Sequence, residues 1–504
     1  KEPFSEDISE TLGILEQDSL NLPRFKINLF EKKSSFPEFT SIVDAEPADY
    51  KLAKSNIAEI ALSKNIIPGN FTLKEGETKL NTLKAGLVEL INSKILEYNY
   101  ESSLKFVISK ADSLTNQYIY KMMLYEESLK HDVDYKREER YSNEHNKYTS
   151  KHIEFRYLVE KLVQLTPNGS KIIQADELKQ LLGLIHWLIV IQSASDSIHY
   201  GILPVEIIVD NDFLVEVKYD DKIESMEKEF GEDEARTRLE LIGSPKDYVS
   251  IASGSKNFMD EFDQAFYEDL GFYFHDLMLV LEVLTFWAVH SPEVEENEYY
   301  ESNINELFEI VTNAIKPKQI SKNDLIKIIN FLTLQKDKIL KVIHSDAPCT
   351  DLPIWEHFKR PMRYNMKPLV SIGERYIWGP FSAKRTIDSW LSNLSEITFP
   401  YDFNGDNINR FFKKQKENVS KELNRKADEI VRRRTNLVMK EYSVFKVDRS
   451  NPELPALGDF DILAFLPNQN VLINLECKDL KSPFCLKDAK SLREKLFGKD
   501  EKDK

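Results

Sequence analysis

From Ser55 to about Lys130 the apolar residues recur at three- and four-residue steps. Ile57, Ile60 and Ala61 are followed by Leu83, Leu87, Leu90, Ile91 and Ile95, the spacing of a buried helical face. Pro68-Gly69 interrupts the series and predicts a break. Residues 131–151 are almost wholly polar and read as an exposed connector or a solvated helix face. Helical spacing resumes at Ile153. It predicts helices over Phe155–Leu165, Asp176–Gln192, Met259–His290, Ile304–Ile315 and from Asn323 to Ile343. Among them, Val205–Lys218 alternates on both sides of Asp210-Asn211-Asp212, which predicts a β-hairpin turning there.

The pattern changes after Pro348. Residues 368–378 predict a second hairpin with its turn at Gly373, and Ser382–Leu394 a helix burying Ile387, Trp390, Leu391 and Leu394. Asp406 opens a long helix to about Arg434, striped by Ile408, Phe411, Phe412, Val419, Leu423, Ala427, Ile430 and Val431. A strand at Tyr442–Val447, two further strands and a short helix near Lys487–Phe497 follow. The expected organisation is multidomain. Helical regions at 1–130 and 152–347 flank the polar connector 131–151, and the second carries the hairpin 205–218. A hairpin-plus-helix connector, 348–405, leads to an α/β module at 406–504.

Composition supports the helical reading, since 16 glycines in 504 residues is less than half the usual ~7%. The longest apolar run, Leu181–Ile191, is 11 residues broken by Gly183 and His186, whereas a bilayer needs ~20. The first ten residues lack a basic start and an apolar core, so no secretory signal is expected. Cys349, Cys477 and Cys485 are too scattered for a disulfide framework or a zinc ribbon. The expectation is a cytoplasmic chain that avoids membranes.

The net charge of −16 argues against a general nucleic-acid coat, but it is unevenly shared. Residues 401–504 hold 22 Lys+Arg against 18 Asp+Glu, leaving 46 against 66 for the rest, that is +4 and −20. The acidic part is expected to meet a protein partner or a second copy, and the terminal module to meet nucleic acid.

The chemistry concentrates in Gly458–Asp479, two strand-like runs around Pro467-Asn468-Gln469-Asn470. If Leu466 and Val471 close the ladder, Asp461 falls opposite Glu476 and Asp459 opposite Lys478. Alternation then gathers Asp461, Glu476 and Lys478 on one face, with Asp459 beside them. Paired carboxylates repel unless a cation neutralises them, and hard oxygen donors suit Mg²⁺ or Mn²⁺. A neighbouring lysine can orient or deprotonate a water, or stabilise developing negative charge.

The run Gly-Asp-Phe-Asp-Ile-Leu-Ala from Gly458, followed at hairpin distance by Asn-Leu-Glu-Cys-Lys ending at Lys478, resembles the PD-(D/E)XK nuclease superfamily. The likeness covers roughly the last hundred residues. It implies a restriction-endonuclease-like α/β domain and a Mg²⁺-dependent endonuclease, most often one that cuts DNA. It further implies that Asp461 and Glu476 hold the metal and that Lys478 is catalytic. Many such domains draw a glutamate from the first helix, here Glu422, with Glu429 and Glu417 competing. Lys413, Lys414, Lys421, Arg425, Arg432 and Arg433 on that helix are the expected phosphate contacts. The superfamily adds a helix and another strand after the lysine, more than the residues from Asp479 to Lys504 supply. The overall layout is similar to that of large bacterial defence-associated proteins.

Two alternatives stay open: a scaffold whose nuclease-like domain binds without cutting, and a ribonuclease. A second Glu-x-Lys triplet, Glu216-Val217-Lys218, has its preceding acids in the turn and reads as a plain hairpin. Arg140 and His145 have the spacing of some helical ribonucleases but fall in the polar run. His186, His275 and His290 lie among apolar residues and read as satisfied core histidines. No G-x-x-x-x-G-K-[ST] or G-x-S-x-G motif is present.

Overall fold

The computed structural model describes residues 43–71, 73–129, 137–200, 205–219, 258–290, 299–314, 320–336, 339, 363–395, 397, 405–443, 459–477, 490–492 and 494. The chain is mainly helical, with small sheets. Among the described residues no helix is long and apolar enough to cross a membrane.

Helix α1 (Pro47–Ser63) starts on a proline and a reciprocal cap, in which the Glu46 N–H donates to Asp49 Oδ2 at 2.9 Å. Helices α2 (Leu73–Leu96), α3 (Tyr100–Leu129), α4 (Arg137–Leu165) and α5 (Ala175–Tyr200) follow. The predicted stripe Leu83, Leu87, Ile91 and Ile95 is fully buried, in one core with Phe106, Phe155, Leu158 and Ile185. That core runs from Val43 through Val215 and also takes in Tyr299, Leu334, Tyr364, Val370 and Ile377, so the polar run 131–151 does not separate two cores. From Arg137 it is the first half of α4. Its later residues are buried through pairing: Lys151 bonds Asp44 and the Tyr50 hydroxyl, and Tyr148 stacks on Tyr118 at 3.8 Å. The same core holds a sheet of β1 (Gly69–Phe71), β2 (Val205–Val209) and β3 (Val215–Tyr219). The expected turn is there, with Asp210 Oδ1 accepting from Asp212 N (2.8 Å) and Leu214 N (2.9 Å).

A second core is built from α6 (Phe258–Leu270), α7 (Phe274–His290), α8 (Ile304–Ala314), α9 (Lys322–Leu332) and α10 (Pro380–Ser395). The single helix expected over Met259–His290 is two, because Gly271 adopts a φ of 77° between them. The helix expected to run on to Ile343 stops at Leu332. Strands β4 (Tyr300–Asn303), β5 (Thr333–Leu334), β6 (Leu369–Ile372) and β7 (Arg375–Trp378) form a sheet in the order β4-β7-β6-β5. Gly373, at φ 58°, makes the β6–β7 turn where the sequence placed it.

Two helix starts in this core, those of α10 and α7, are capped from a distance. Gly379 precedes α10 and has no side chain to cap with; Asp112 of α3 serves instead, accepting from Ser382 N at 2.7 Å. The start of α7 is held likewise, Asp263 of α6 accepting from His275 N at 3.1 Å. Only glycine fits before α10, since a Cβ on Gly379 would sit 2.3 Å from Asp112 Oδ1.

Burial pushes the Asp112 carboxyl up to about 7, against the hydrogen bonds from the α10 start that favour its charge. A raised carboxyl contributes stability that is fully present below its ordinary 3.8 and is lost as pH rises through about 7. Asp112→Asn keeps the accepting oxygen and removes the charge. Its unfolding midpoint is expected to lack the decline expected of the parent protein between about pH 4 and 7, measured by thermal melts across that range.

His275 has the opposite sign. Burial disfavours its charge, but Asp263 on Nδ1 and Asp276 on Nε2 (3.1 Å) outweigh that and raise it to about 9. Its contribution is present below 6.5 and lost as pH rises through about 9. His275→Gln is expected to flatten that part of the stability profile, a change readable in the same melts.

Candidate active site on the terminal hairpin

Helix α11 (Asp406–Arg432) carries the terminal sheet. Its N-cap, Gly405, supplies no side chain, and Asp269 of α6 accepts from Asn407 N (3.3 Å) and Ile408 N (2.9 Å). Phe411 then packs edge-on against Phe258 (5.1 Å), and Phe411 and Phe412 both reach Phe262. The far end of α11 lies on a three-stranded antiparallel sheet of β8 (Val438–Ser443), β9 (Asp459–Leu466) and β10 (Val471–Leu475). Strand β8 begins four residues before the expected Tyr442, directly after the helix.

The hairpin register is the one read from the sequence. Val471 pairs with Leu466, and the ladder continues to Leu475 with Ile462. Ile462 and Ala464 are buried on the helix side, so the alternation turns Asp461, Leu463 and Phe465 to the opposite face. Glu476 lies just beyond the last pair, exposed. Asp461 reaches it through the backbone: Cys477 N donates to Asp461 Oδ2 at 2.8 Å. Burial pushes the Cys477 thiol up, and the Asp461 and Glu476 carboxylates add to the shift, so both charges stand near that thiol. A thiol held protonated in this way is a poor nucleophile.

Other expected residues are placed differently. Lys478 lies outside the described residues, as do most of the expected helix near Lys487–Phe497 and residues 444–458. Asp459 pairs with Ser443 at the start of β9. Glu422 is tied within its own helix. It holds Arg425, which also pairs with Glu429, and that hydrogen bond lowers the Glu422 carboxyl. Among the described residues no three His, Cys, Asp or Glu side chains gather as a metal cluster.

The carboxylate that α11 does bring to the sheet is Asp428. It is 6% exposed and pairs with Lys440 of β8 (2.8 Å) and Arg432 (2.9 Å). Its side chain lies on the helix face of the sheet, since Lys440 is opposite Ile462. The sequence signal for it was an acid directly after Ala427 of the apolar stripe and four residues before Arg432.

The basic residues divide. Lys414 pairs with Glu261 (2.8 Å), and Arg425 and Arg432 are tied to acids of their own helix. Lys413, Lys421 and Arg433 are exposed and have no ion pair among the described residues. The apolar stripe is also cut short, for Leu423 and Ile430 are 36% and 61% exposed.

Comparison with known proteins returns no matching family model, no matching curated protein and no matching solved structure.

Proposed function

We propose that this chain is a Mg²⁺-dependent endonuclease acting on DNA, with a restriction-endonuclease-like terminal module. The observation that carries the reading is the β9–β10 ladder, whose register sets Asp461 against the Glu476–Cys477 strand end. The donors fit such a cation. Asp461 has one oxygen fixed by the Cys477 N–H and the other outside that bond, and Glu476 is exposed beside it. Mg²⁺ commonly takes one or two carboxylates and fills its remaining positions with water and phosphate oxygen. When bound, the metal acts as a Lewis acid and lowers the pKa of its water. Asp461 and Glu476 would hold it, Lys478 would position the attacking water, and exposed cations of α11 would bind the phosphate chain. Mn²⁺ is the natural substitute.

The test offers the purified full chain single- and double-stranded DNA and RNA, with Mg²⁺, Mn²⁺ or chelator. Metal-dependent cleavage of DNA is expected. Cleavage of RNA alone would make the chain a ribonuclease, and binding without any cleavage would make the module a nuclease-like scaffold.

A further inference from the structure

The joint where α10 meets α3 and α4 holds a positive charge with no carboxylate to answer it. Arg385 of α10 lies over the Tyr148 ring of α4, 4.7 Å from its centre, and donates from Nη1 to the Tyr148 hydroxyl. Tyr148 in turn stacks on His152 (5.5 Å), one turn along α4. Its hydroxyl lies 3.4 Å from Thr115 Oγ1 of α3 and 3.5 Å from His152 Nδ1. Arg156 stands one turn further along α4. Burial, and after it the charges of Arg385 and Arg156, hold the His152 ring well below its ordinary 6.5, and therefore neutral.

Two atoms of this cluster are left over. His152 is 4% exposed, and its Nε2 has no hydrogen-bond partner among the described residues. Arg385 Nε is likewise buried and unbonded. The nearby acids are engaged elsewhere. Asp388 pairs with Lys384 (3.1 Å), Glu154 with His186 (2.9 Å), and Asp112 accepts from Ser382 N. Glu160 accepts from Tyr364 N at 3.0 Å and lies 3.9 Å from Arg156 Nε. Among the described residues Arg385 therefore has no carboxylate partner.

A buried donor without an acceptor is costly, and a charge without a partner more so. A water would accept a hydrogen bond and leave the charge; an oxyanion meets both needs. Guanidinium forks favour phosphate and carboxylate oxygens. With Nδ1 turned to the Tyr148 hydroxyl, His152 Nε2 carries the proton and adds a donor from a second helix, which suits a phosphate with its several oxygens. Arg385 is half-buried and Arg156 keeps 12% of its side chain exposed, so the cluster lies at the edge of the core, within reach of solvent.

We propose that Arg385, His152 and Arg156 bind a phosphate group, free or carried on a nucleotide, at the joint of α3, α4 and α10. The site lies in the helical body and stands apart from the nuclease reading. The test is equilibrium dialysis of the full chain against radiolabelled inorganic phosphate, in chelator and at constant ionic strength. One saturable ion per chain is expected, and excess acetate should not displace it. Arg385→Met keeps the side-chain length and removes the charge; His152→Phe keeps a ring on Tyr148 and removes the donor. Each should weaken phosphate at least ~10-fold, about the worth of one charge-assisted hydrogen bond. Lys171→Met, at an exposed ion pair with Glu97, should bind as the parent does. Adenosine monophosphate that competes as well as unlabelled phosphate identifies a nucleotide-borne group, and its failure to compete a free ion. Thermal melts separate binding from folding: saturating phosphate should raise the midpoint of the parent and leave that of Arg385→Met unmoved. No saturable ion, equal displacement by acetate, unchanged affinity in Arg385→Met, or an equal loss in Lys171→Met overturns the proposal.

Discussion

Asp461→Asn is expected to abolish metal-dependent cleavage, by at least ~10³-fold, without unfolding the terminal sheet. The magnitude is that of removing a group which acts on the developing charge. Asparagine separates two roles of this side chain. Its amide oxygen can still accept from Cys477 N, the bond now made at 2.8 Å, so the strand end stays in place. It carries no charge, so on the proposed function a bound metal would lose a ligand and Glu476 a repelling neighbour. Asp461→Ala removes the bond as well and should cost about 1 kcal/mol of stability besides. Cleavage rates under saturating Mg²⁺, with circular dichroism of each variant, distinguish the two effects. An asparagine variant that cuts at a comparable rate would exclude Asp461 from the chemistry.

Phe262→Ala is the substitution expected to destabilise the chain most among those considered. The ring is fully buried and lies within 6 Å of Phe266, Phe274, Phe411 and Phe412. Three helices therefore share one side chain, and none can close the void alone. Losing a phenyl ring from such a site costs about 3–5 kcal/mol, a large part of the ~5–15 kcal/mol typical of a folded domain. Tyr267→Ala, on the same helix but 41% exposed, should change stability by about 1 kcal/mol or less. Denaturant midpoints of the two variants give the comparison. Since Phe262 also seats the first turns of α11, hydrogen exchange at the α11 start should quicken in Phe262→Ala.

Much of the fold was legible where the signal is local. The turn at Pro467–Asn470 and the alternation on either side were enough to set the β9–β10 register, because a slip by one residue would expose Ile462 and Ala464. Helical period likewise located α2, α5, α8, α10 and α11. What escaped depends on distant partners. Polar composition over 131–151 cannot reveal that Lys151 finds Asp44 and that Tyr148 finds Tyr118. The α11 stripe named Leu423 and Ile430 as core residues, yet periodicity reports a face and not whether anything covers it. Spacing alone makes Glu422 a candidate for the site and cannot show that it pairs with Arg425, on the adjoining turn. Asp428 holds the position at the sheet instead.

The remote caps decide where this chain can be cut. An excised terminal fragment beginning at Asp406 would leave behind Asp269, which terminates the free N–H groups at the start of α11, and Phe258 and Phe262, which shelter Phe411 and Phe412. Such a piece would begin with a frayed helix and an apolar patch open to water. The smallest autonomous unit that contains the terminal sheet therefore also contains α6, about 140 residues upstream of the helix it caps.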